Sequence, residues 1–351
     1  MKLEEIIIEK IKKEDAIPFR DFMEMCLYYP DLGFYTSPTS SVGPNGSFYT
    51  SAYISPIFGA MIGRQMVEMW QTLGCNEFTV VEYGAGTGIL CHDILSYLKD
   101  QHPKMYDGFS YGIIEKSHSM RQIEKKHLTE KVVWYDSIKD IPMLRGCIFS
   151  NELVDNFSVN LVVMDDELME VYVTHDSGFK EILQPACPEV KEYFTELGLQ
   201  LPKGFRMEVN LEVPHWMEEV SKVLQEGYVM TIDYGYLSNE IYKPSKSQGT
   251  LLCYYDHTVN DDYFTHIGEQ DITSHVNFSA IEHWGQKYGL KECWFMEQYQ
   301  FLLNMGFNDY LNQAFSKEPD IVQAAKKASM IRHKLLFDMG SKFKVLLQQK
   351  E

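Results

Sequence analysis

The stretch best suited to chemistry is Val80-Val81-Glu82-Tyr83-Gly84-Ala85-Gly86-Thr87-Gly88-Ile89-Leu90, where an apolar run stops at an acid and glycines follow at alternate positions. Glycines so spaced let a backbone approach a ligand closely. A helix over about Ile89 to Leu98 would aim the positive end of its dipole at the same place. A nucleotide-like ligand fits this arrangement, and a glycine-rich turn with no ligand is the competing reading. Dinucleotide sites need glycine at the first, third and sixth places, and the sixth is Ile89; a Walker loop needs a Gly-Lys-Ser/Thr that does not follow.

What remains, an acid-x-Gly-x-Gly-x-Gly motif closing a strand, resembles the S-adenosyl-L-methionine site of class I methyltransferases. In such a site Glu115, ending the next strand, can accept both ribose hydroxyls, because ligands of these sheets sit at the carboxyl ends of strands. Glu82 can hold the cofactor's amino group directly or through water, with Tyr83 and the amides of Gly84, Ala85, Gly86 and Gly88 near its methionine part. Asp136 and Ser137 follow a third strand where an adenine amino group would lie; turn chemistry explains that pair as well. Transfer of a sulfonium methyl is an in-line displacement, so the enzyme's task is to place the nucleophile, and no metal is required. A guanidinium acceptor would be clamped by carboxylates, for which Glu152, Asp155 and Asp233 are the candidates. Asn151 and Glu152 could instead serve the cofactor, and Asp233 could cap a turn. His275 could bind substrate or act as a base, with a structural role as the alternative.

The elements that position these residues follow from periodicity. Apolar residues at Leu3, Ile6, Ile7 and Ile11 predict a helix, and Ala16-Ile17-Pro18 opens a second that reaches about Tyr28. From Tyr35 to Tyr49 the chain is rich in Ser, Thr, Pro and Gly and reads as a long loop. We expect the segment from Thr36 to Tyr53 to fold over the cofactor, with Thr50 and Ser51 close to it. Ser55-Pro56 starts a helix whose stripe of Phe58, Met61, Ile62, Met66, Met69, Trp70 and Leu73 belongs to the core. After the glycine strand come strands over 110–115, 132–135 and 146–150, with a helix over 117–128, a rhythm that predicts a parallel sheet. Segments 161–164 and 169–173 flank Asp165-Asp166-Glu167 as a hairpin, with a short strand over 179–183. A helix over 214–224 leads back to the apolar strand 228–235, where the parallel sheet resumes. Helical periodicity with a basic tail marks 306–351.

The expected architecture is α/β, a Rossmann-like class I methyltransferase sheet with a helical N-terminal region and an inserted antiparallel substrate region. Residues 1–78 make the helical region and cofactor-covering loop, 79–152 the first half of the sheet, 153–227 the insertion, 228–305 the second half, and 306–351 C-terminal helices.

Composition bounds the partners. The chain has 351 residues, 45% apolar and 13% aromatic, ample for a core. Its 32 basic against 50 acidic side chains, net −18, repel nucleic acid and anionic membrane and favour a protein substrate with a basic segment. Seven cysteines with no Cys-x-x-Cys pair argue against a disulfide framework and for a reducing cytoplasm. Neither a signal core nor an 18-residue apolar run occurs, so no membrane insertion is expected. Neither His92 nor His257 makes a metal-ligand spacing with another histidine or cysteine, and no metal is expected. A homodimer is compatible with everything above.

The whole chain resembles the MidA-type family of class I methyltransferases, whose mitochondrial member is an arginine methyltransferase used in assembly of respiratory complex I. The matching stretches are Phe22-Met23 and Leu27-Tyr28-Tyr29-Pro30 with Gly33-Phe34-Tyr35; Phe48-Tyr49-Thr50-Ser51 with Ile54-Ser55-Pro56-Ile57-Phe58-Gly59; the glycine motif; Asn151-Glu152-Leu153-Val154-Asp155; Asp233-Tyr234-Gly235; Gly249-Thr250-Leu251 with His257; and Asp271-Ile272-Thr273-Ser274-His275-Val276-Asn277-Phe278. The resemblance implies an S-adenosyl-L-methionine cofactor and an arginine acceptor on a protein. The chain departs from the family pattern at Ser47, Ala52-Tyr53 and Asn156-Phe157-Ser158, positions that bear on the acceptor rather than the cofactor.

Overall fold

The computed structural model describes residues 2–38, 50–128, 131–316 and 318–351. The chain divides into two compact units that cut across its linear order. One holds residues 1–48, 154–217 and 236–284; the other holds 49–153, 218–235 and 285–351.

The second unit is built on the parallel sheet. Its strands lie in the spatial order Lys291–Glu297, Phe343–Lys350, Leu224–Tyr236, Leu144–Asn151, Phe78–Tyr83, Phe109–Ile114 and Val132–Tyr135. The last five run parallel to one another, while Phe343–Lys350 runs antiparallel to both its neighbours. Register decides where the chemistry falls. Tyr83 pairs with Ile114 on one side and Ser150 on the other, and Asn151 pairs with Ile232. The residues that follow, Gly84, Glu115, Glu152 and Asp233, therefore emerge at one edge of the sheet, and Phe78–Tyr83 is where the strand order reverses.

Helix Pro56–Thr72 starts where the sequence says it should, since Ser55 Oγ accepts the Ile57 N–H at 3.3 Å and proline fills the first turn. It buries Phe58, Met61, Ile62, Met66 and Met69 in one core with Phe78, Val80, Cys147, Phe149 and Met230. That core also takes Val345 and Leu347, which corrects the reading of 306–351 as helices throughout. Helices Phe307–Phe315 and Ile321–Arg332 and a π-helical turn His333–Asp338 come first, then the strand Phe343–Lys350. Its residues Phe343 to Gln348 are all buried, so the apolar run Val345-Leu346-Leu347 is an interior strand covered on both faces. The basic tail is partly inside too: Lys344 is 7% exposed and pairs with Glu297 at 3.0 Å.

The first unit gathers helices Leu3–Glu14 and Phe19–Tyr28 with an antiparallel sheet. Hairpin Asn160–Met164 with Leu168–His175 is the expected one, extended by Phe179–Pro185 on one strand and Arg206–Val209 on the other. The second helix opens at Phe19, not at Ala16, because Ile17–Pro18 pairs as a short strand with Val173 and Tyr172. Ile7, Phe19, Phe22 and Leu27 share a core with Val159, Leu161, Val171, Cys253 and Ile272. Residues 236–284, read from sequence as sheet, belong to this unit and form a small three-stranded sheet of Leu252–Tyr255, Thr258–Asn260 and Asp271–Thr273.

Candidate active site

At the edge of the parallel sheet the glycine turn has the geometry its sequence requires. Gly84, Gly86 and Gly88 have φ of 66°, 57° and 79°, the left-handed region that side chains resist. A Cβ placed on Gly86 would meet no atom within 4 Å, so that side of the turn has room for a ligand. Gly84 donates to the Ile114 carbonyl at 2.9 Å and Gly88 to that of Ala85 at 2.9 Å. Helix Ile89–Gln101 begins there with its free N–H groups facing the turn.

Two carboxyls flank it. Glu82 is 2% exposed and accepts from the Tyr111 hydroxyl at 2.7 Å; burial, only partly offset by that bond, raises its pKa to about 7. Glu115 accepts the Ser117 N–H at 2.7 Å and is also raised to about 7 by burial, with Ser117, Arg121 and Lys116 acting against the rise. A third acid escaped the sequence reading. Glu124, fully buried on helix His118–His127, accepts from Trp134 Nε1 at 2.5 Å and is pushed to about 8 by burial and by Glu115. Only its burial could have betrayed it, since it reads as one more charge on a helix rich in Lys.

Asp136 and Ser137 each have a protein partner. Asp136 is 85% exposed and pairs with Arg121 at 2.6 Å, while Ser137 Oγ caps the turn Ile138–Asp140 by accepting the Lys139 N–H at 3.3 Å. Arg121 itself donates to the carbonyls of Glu115 and Tyr135, each at 2.7 Å, and so fixes the ends of two neighbouring strands.

Glu152 has φ 53°, an uncommon left-handed conformation for a residue with a side chain. Its N–H donates to the Ile232 carbonyl at 2.9 Å, which anchors it across the sheet. Its Oε1 accepts from the backbone N–H of Ser51 and from Asn151 Nδ2, each at 3.3 Å. Asn151 Oδ1 is buried with no hydrogen-bond partner among the described residues. Asp233, fully buried, accepts the Leu153 N–H at 3.2 Å and the Tyr234 N–H at 2.9 Å, so both oxygens hold backbone.

The covering segment is described only from Thr50; the expected loop over 39–49 lies outside the described residues. Thr50 sits at the N-terminus of the short helix Ser51–Ile54. Ser51 is fully buried, and its hydroxyl donates to Gln298 Oε1 at 3.1 Å. Tyr53, one of the departures from the family pattern, bonds through its hydroxyl to Thr87 Oγ1 at 2.7 Å inside the glycine turn, and Glu152's charge adds to the burial that raises its pKa. Gln298 and Tyr53 were missed because each acts across a large sequence separation.

Asp155 and His275 lie in the first unit. Asp155 is 3% exposed, and its carbonyl accepts the Ser274 N–H at 3.0 Å. The His275 N–H donates to Thr250 Oγ1 at 3.0 Å, and its ring faces Tyr236 with centroids 5.4 Å apart. Burial and then the Lys246 charge lower its pKa to about 4. Both effects favour the neutral imidazole and fit the structural role weighed for it from sequence. Among the described residues no cluster of His, Cys, Asp and Glu could hold a metal, and no helix is long and apolar enough to cross a membrane.

Open space beside Gly86, the buried Glu82 and half-buried Glu115 at neighbouring strand ends, and an Asn151 oxygen with no partner among the described residues fit S-adenosylmethionine. Comparison with known proteins agrees. A family model described as S-adenosyl-L-methionine-dependent methyltransferase matches residues 61–296. A Burkholderia thailandensis crystal structure bound to S-adenosyl-homocysteine superimposes with a TM-score of 0.89 at 29% identity, covering 99% of this chain and 92% of that one. Among curated proteins, the mitochondrial protein arginine methyltransferase NDUFAF7 of Rattus norvegicus is 26% identical over 90% of this chain and 76% of its own length. Its Drosophila melanogaster homolog is 24% identical over 96% and 82%.

Proposed function

This chain belongs to the family of S-adenosyl-L-methionine-dependent methyltransferases matched above, and from that premise we propose that it methylates an arginine of a protein partner. Bound S-adenosylmethionine supplies the methyl group from its sulfonium. The observation that carries the finer reading is Glu152: a half-buried carboxylate held in a left-handed backbone beside the glycine turn, whose Oε1 accepts from Ser51 and Asn151. A carboxylate at this strand end can accept N–H groups of a guanidinium, fixing the plane of the acceptor and drawing charge from the attacking nitrogen.

The other residues take supporting parts in this reading. Glu115 accepts the ribose hydroxyls and Glu82 the amino group of the cofactor, while Thr50, Ser51, Tyr83, Ala85 and Asn151 line its methionine end. Asp136 and Ser137 mark the adenine end. Asp233 sets the backbone after Glu152 through Leu153, and Asp155 is the next candidate to face the acceptor. The curated relatives named above are arginine methyltransferases, and the net charge of −18 suits a basic segment. All seven cysteines are free, which supports a cytoplasmic location.

Replacing Glu152 by Gln tests the assignment, with cofactor affinity and single-turnover methylation measured on the same variant. A clamp predicts turnover lower by roughly ten- to a hundredfold with affinity little changed. Weakened cofactor binding with normal transfer at saturation contradicts it.

A further inference from the structure

Gln298 carries no role in the proposed function, yet the fold brings it to the carboxyl edge of the parallel sheet. Lys344 pairs with Asp233 on one side and with Glu297 on the other, and Phe343–Lys350 runs antiparallel to both neighbours. Strand Lys291–Glu297 therefore runs parallel to Leu224–Tyr236 and ends level with Asp233, at the edge where Glu152 emerges. Gln298 is the next residue and opens helix Gln298–Asn304. The start of that helix is fixed from three sides. Glu297 N–H donates to Gln300 Oε1 at 3.1 Å, the Glu297 carboxylate pairs with Lys344 at 3.0 Å, and Tyr299 N–H donates to the Gly340 carbonyl at 3.1 Å.

The Gln298 side chain is fully buried, and its Oε1 accepts the Ser51 hydroxyl at 3.1 Å; Met339 Sδ lies 3.7 Å from the same hydroxyl. Ser51 in turn donates its backbone N–H to Glu152 Oε1 at 3.3 Å. Two hydrogen bonds thus run from Gln298 through Ser51 to Glu152, all within the second unit. Packing alone does not explain a glutamine here. Its Nε2 is buried with no hydrogen-bond partner among the described residues, and an unmet buried donor destabilises the fold. Methionine would fill much the same space without that cost. What only the amide supplies is an acceptor for the Ser51 hydroxyl. Helix Ser51–Ile54 is a single turn, too short to hold itself by its own hydrogen bonds. Tyr53 ties its far end to Thr87 in the glycine turn, and Gln298 ties its near end. Freed from Gln298, Ser51 can turn, and the N–H that Glu152 accepts turns with it. A displacement of about 1 Å in a group that orients a reacting partner can lower a rate roughly a hundredfold.

We propose that Gln298 is a positioning residue of the methyltransferase: by fixing Ser51 it sets the direction of the Glu152 carboxylate. The proposal rests on the reading of Glu152 as the acceptor's clamp and adds the residues that aim it. Gln298 touches neither acceptor nor cofactor in this role.

The test compares Gln298→Met, Ser51→Ala and Glu152→Gln, alone and with Gln298→Met combined with each of the other two, all in the full chain. Initial rates of labelled-methyl transfer to lysate proteins are measured at saturating S-adenosylmethionine, and S-adenosylhomocysteine affinity by calorimetry. Gln298→Met and Ser51→Ala should each lower the rate roughly tenfold with affinity within about threefold of wild type. Because all three changes break one linkage, each combination should be no more than about twofold slower than its slower single variant. A purely structural role for Gln298 makes the losses independent, so rate losses that multiply in either combination overturn the proposal. A full rate in Gln298→Met overturns it too. A Tm within about 5 °C of wild type certifies the fold, and if Gln298→Met fails that check, Ser51→Ala, which removes one hydroxyl, takes its place beside Glu152→Gln. Parent reading and proposal fail separately. Slow transfer by Glu152→Gln with full-rate transfer by Gln298→Met refutes the positioning and keeps the clamp. Non-additive losses that appear in S-adenosylhomocysteine affinity and not in rate refute the clamp and keep the positioning. Normal rate and affinity in Glu152→Gln refute both.

Discussion

In the proposed roles, Glu115 accepting the ribose hydroxyls and Glu82 the cofactor's amino group, both carboxyls act ionised, and burial raises both to about 7. Cofactor affinity should therefore rise between pH 6 and pH 8, by about tenfold for each group that must lose its proton. Titration of S-adenosylhomocysteine at the two pH values checks this, and a flat profile would remove both residues from the site. Stability runs the other way. Glu82, Glu115, Glu124 and Asp271 all have native pKa values above the ordinary carboxylate range, at about 7, 7, 8 and 8. As pH rises above about 4 the unfolded chain gives up these protons before the native one does, so stability falls progressively until about pH 8. Without cofactor, the Tm should drop between pH 5 and pH 8. Glu124→Gln should flatten that slope, because it removes one of the four; an unchanged slope would mean that Glu124 is not held protonated.

Elements place these residues through register, and close approach of backbones sets that register. Gly146 and Gly227 face each other on adjacent strands with φ of 153° and 139°, and a Cβ on Gly146 would lie 2.0 Å from the Thr79 carbonyl oxygen. Gly146→Ala should thus cost at least about 3 kcal/mol, from strain plus the clash, measured by urea unfolding. Gly86→Val behaves differently: its Cβ has open space, so the sheet should survive while cofactor binding is lost. Unaltered affinity in that variant would remove the turn from the site. The same contrast shows what sequence could tell. The glycine turn, Glu115 and Glu152 were legible because residue type and local period alone put an acid or glycine at a strand end. Phe343–Lys350 was not, since three apolar residues between Lys and Gln resemble the end of a helix until the neighbouring strands bury both faces. Nor was Asp271 legible as Tyr35's partner, or Tyr53 as that of Thr87, because only the folded chain brings them together.

For the molecule as a whole, net charge bears on the proposed protein acceptor. With a net charge of −18 the chain attracts basic segments over a distance that salt shortens to about 10 Å at 0.1 M. Raising ionic strength should therefore raise the KM for a basic protein acceptor while leaving the affinity for S-adenosylhomocysteine nearly unchanged; a KM indifferent to salt would remove the electrostatic part of the account. The most direct test of the central claim is transfer of a labelled methyl group from S-adenosylmethionine to proteins of a cell lysate by the purified chain, with the labelled residue identified by mass spectrometry. The account predicts label on arginine, lost when Glu152 is replaced by Gln. Label confined to any other residue type would contradict it.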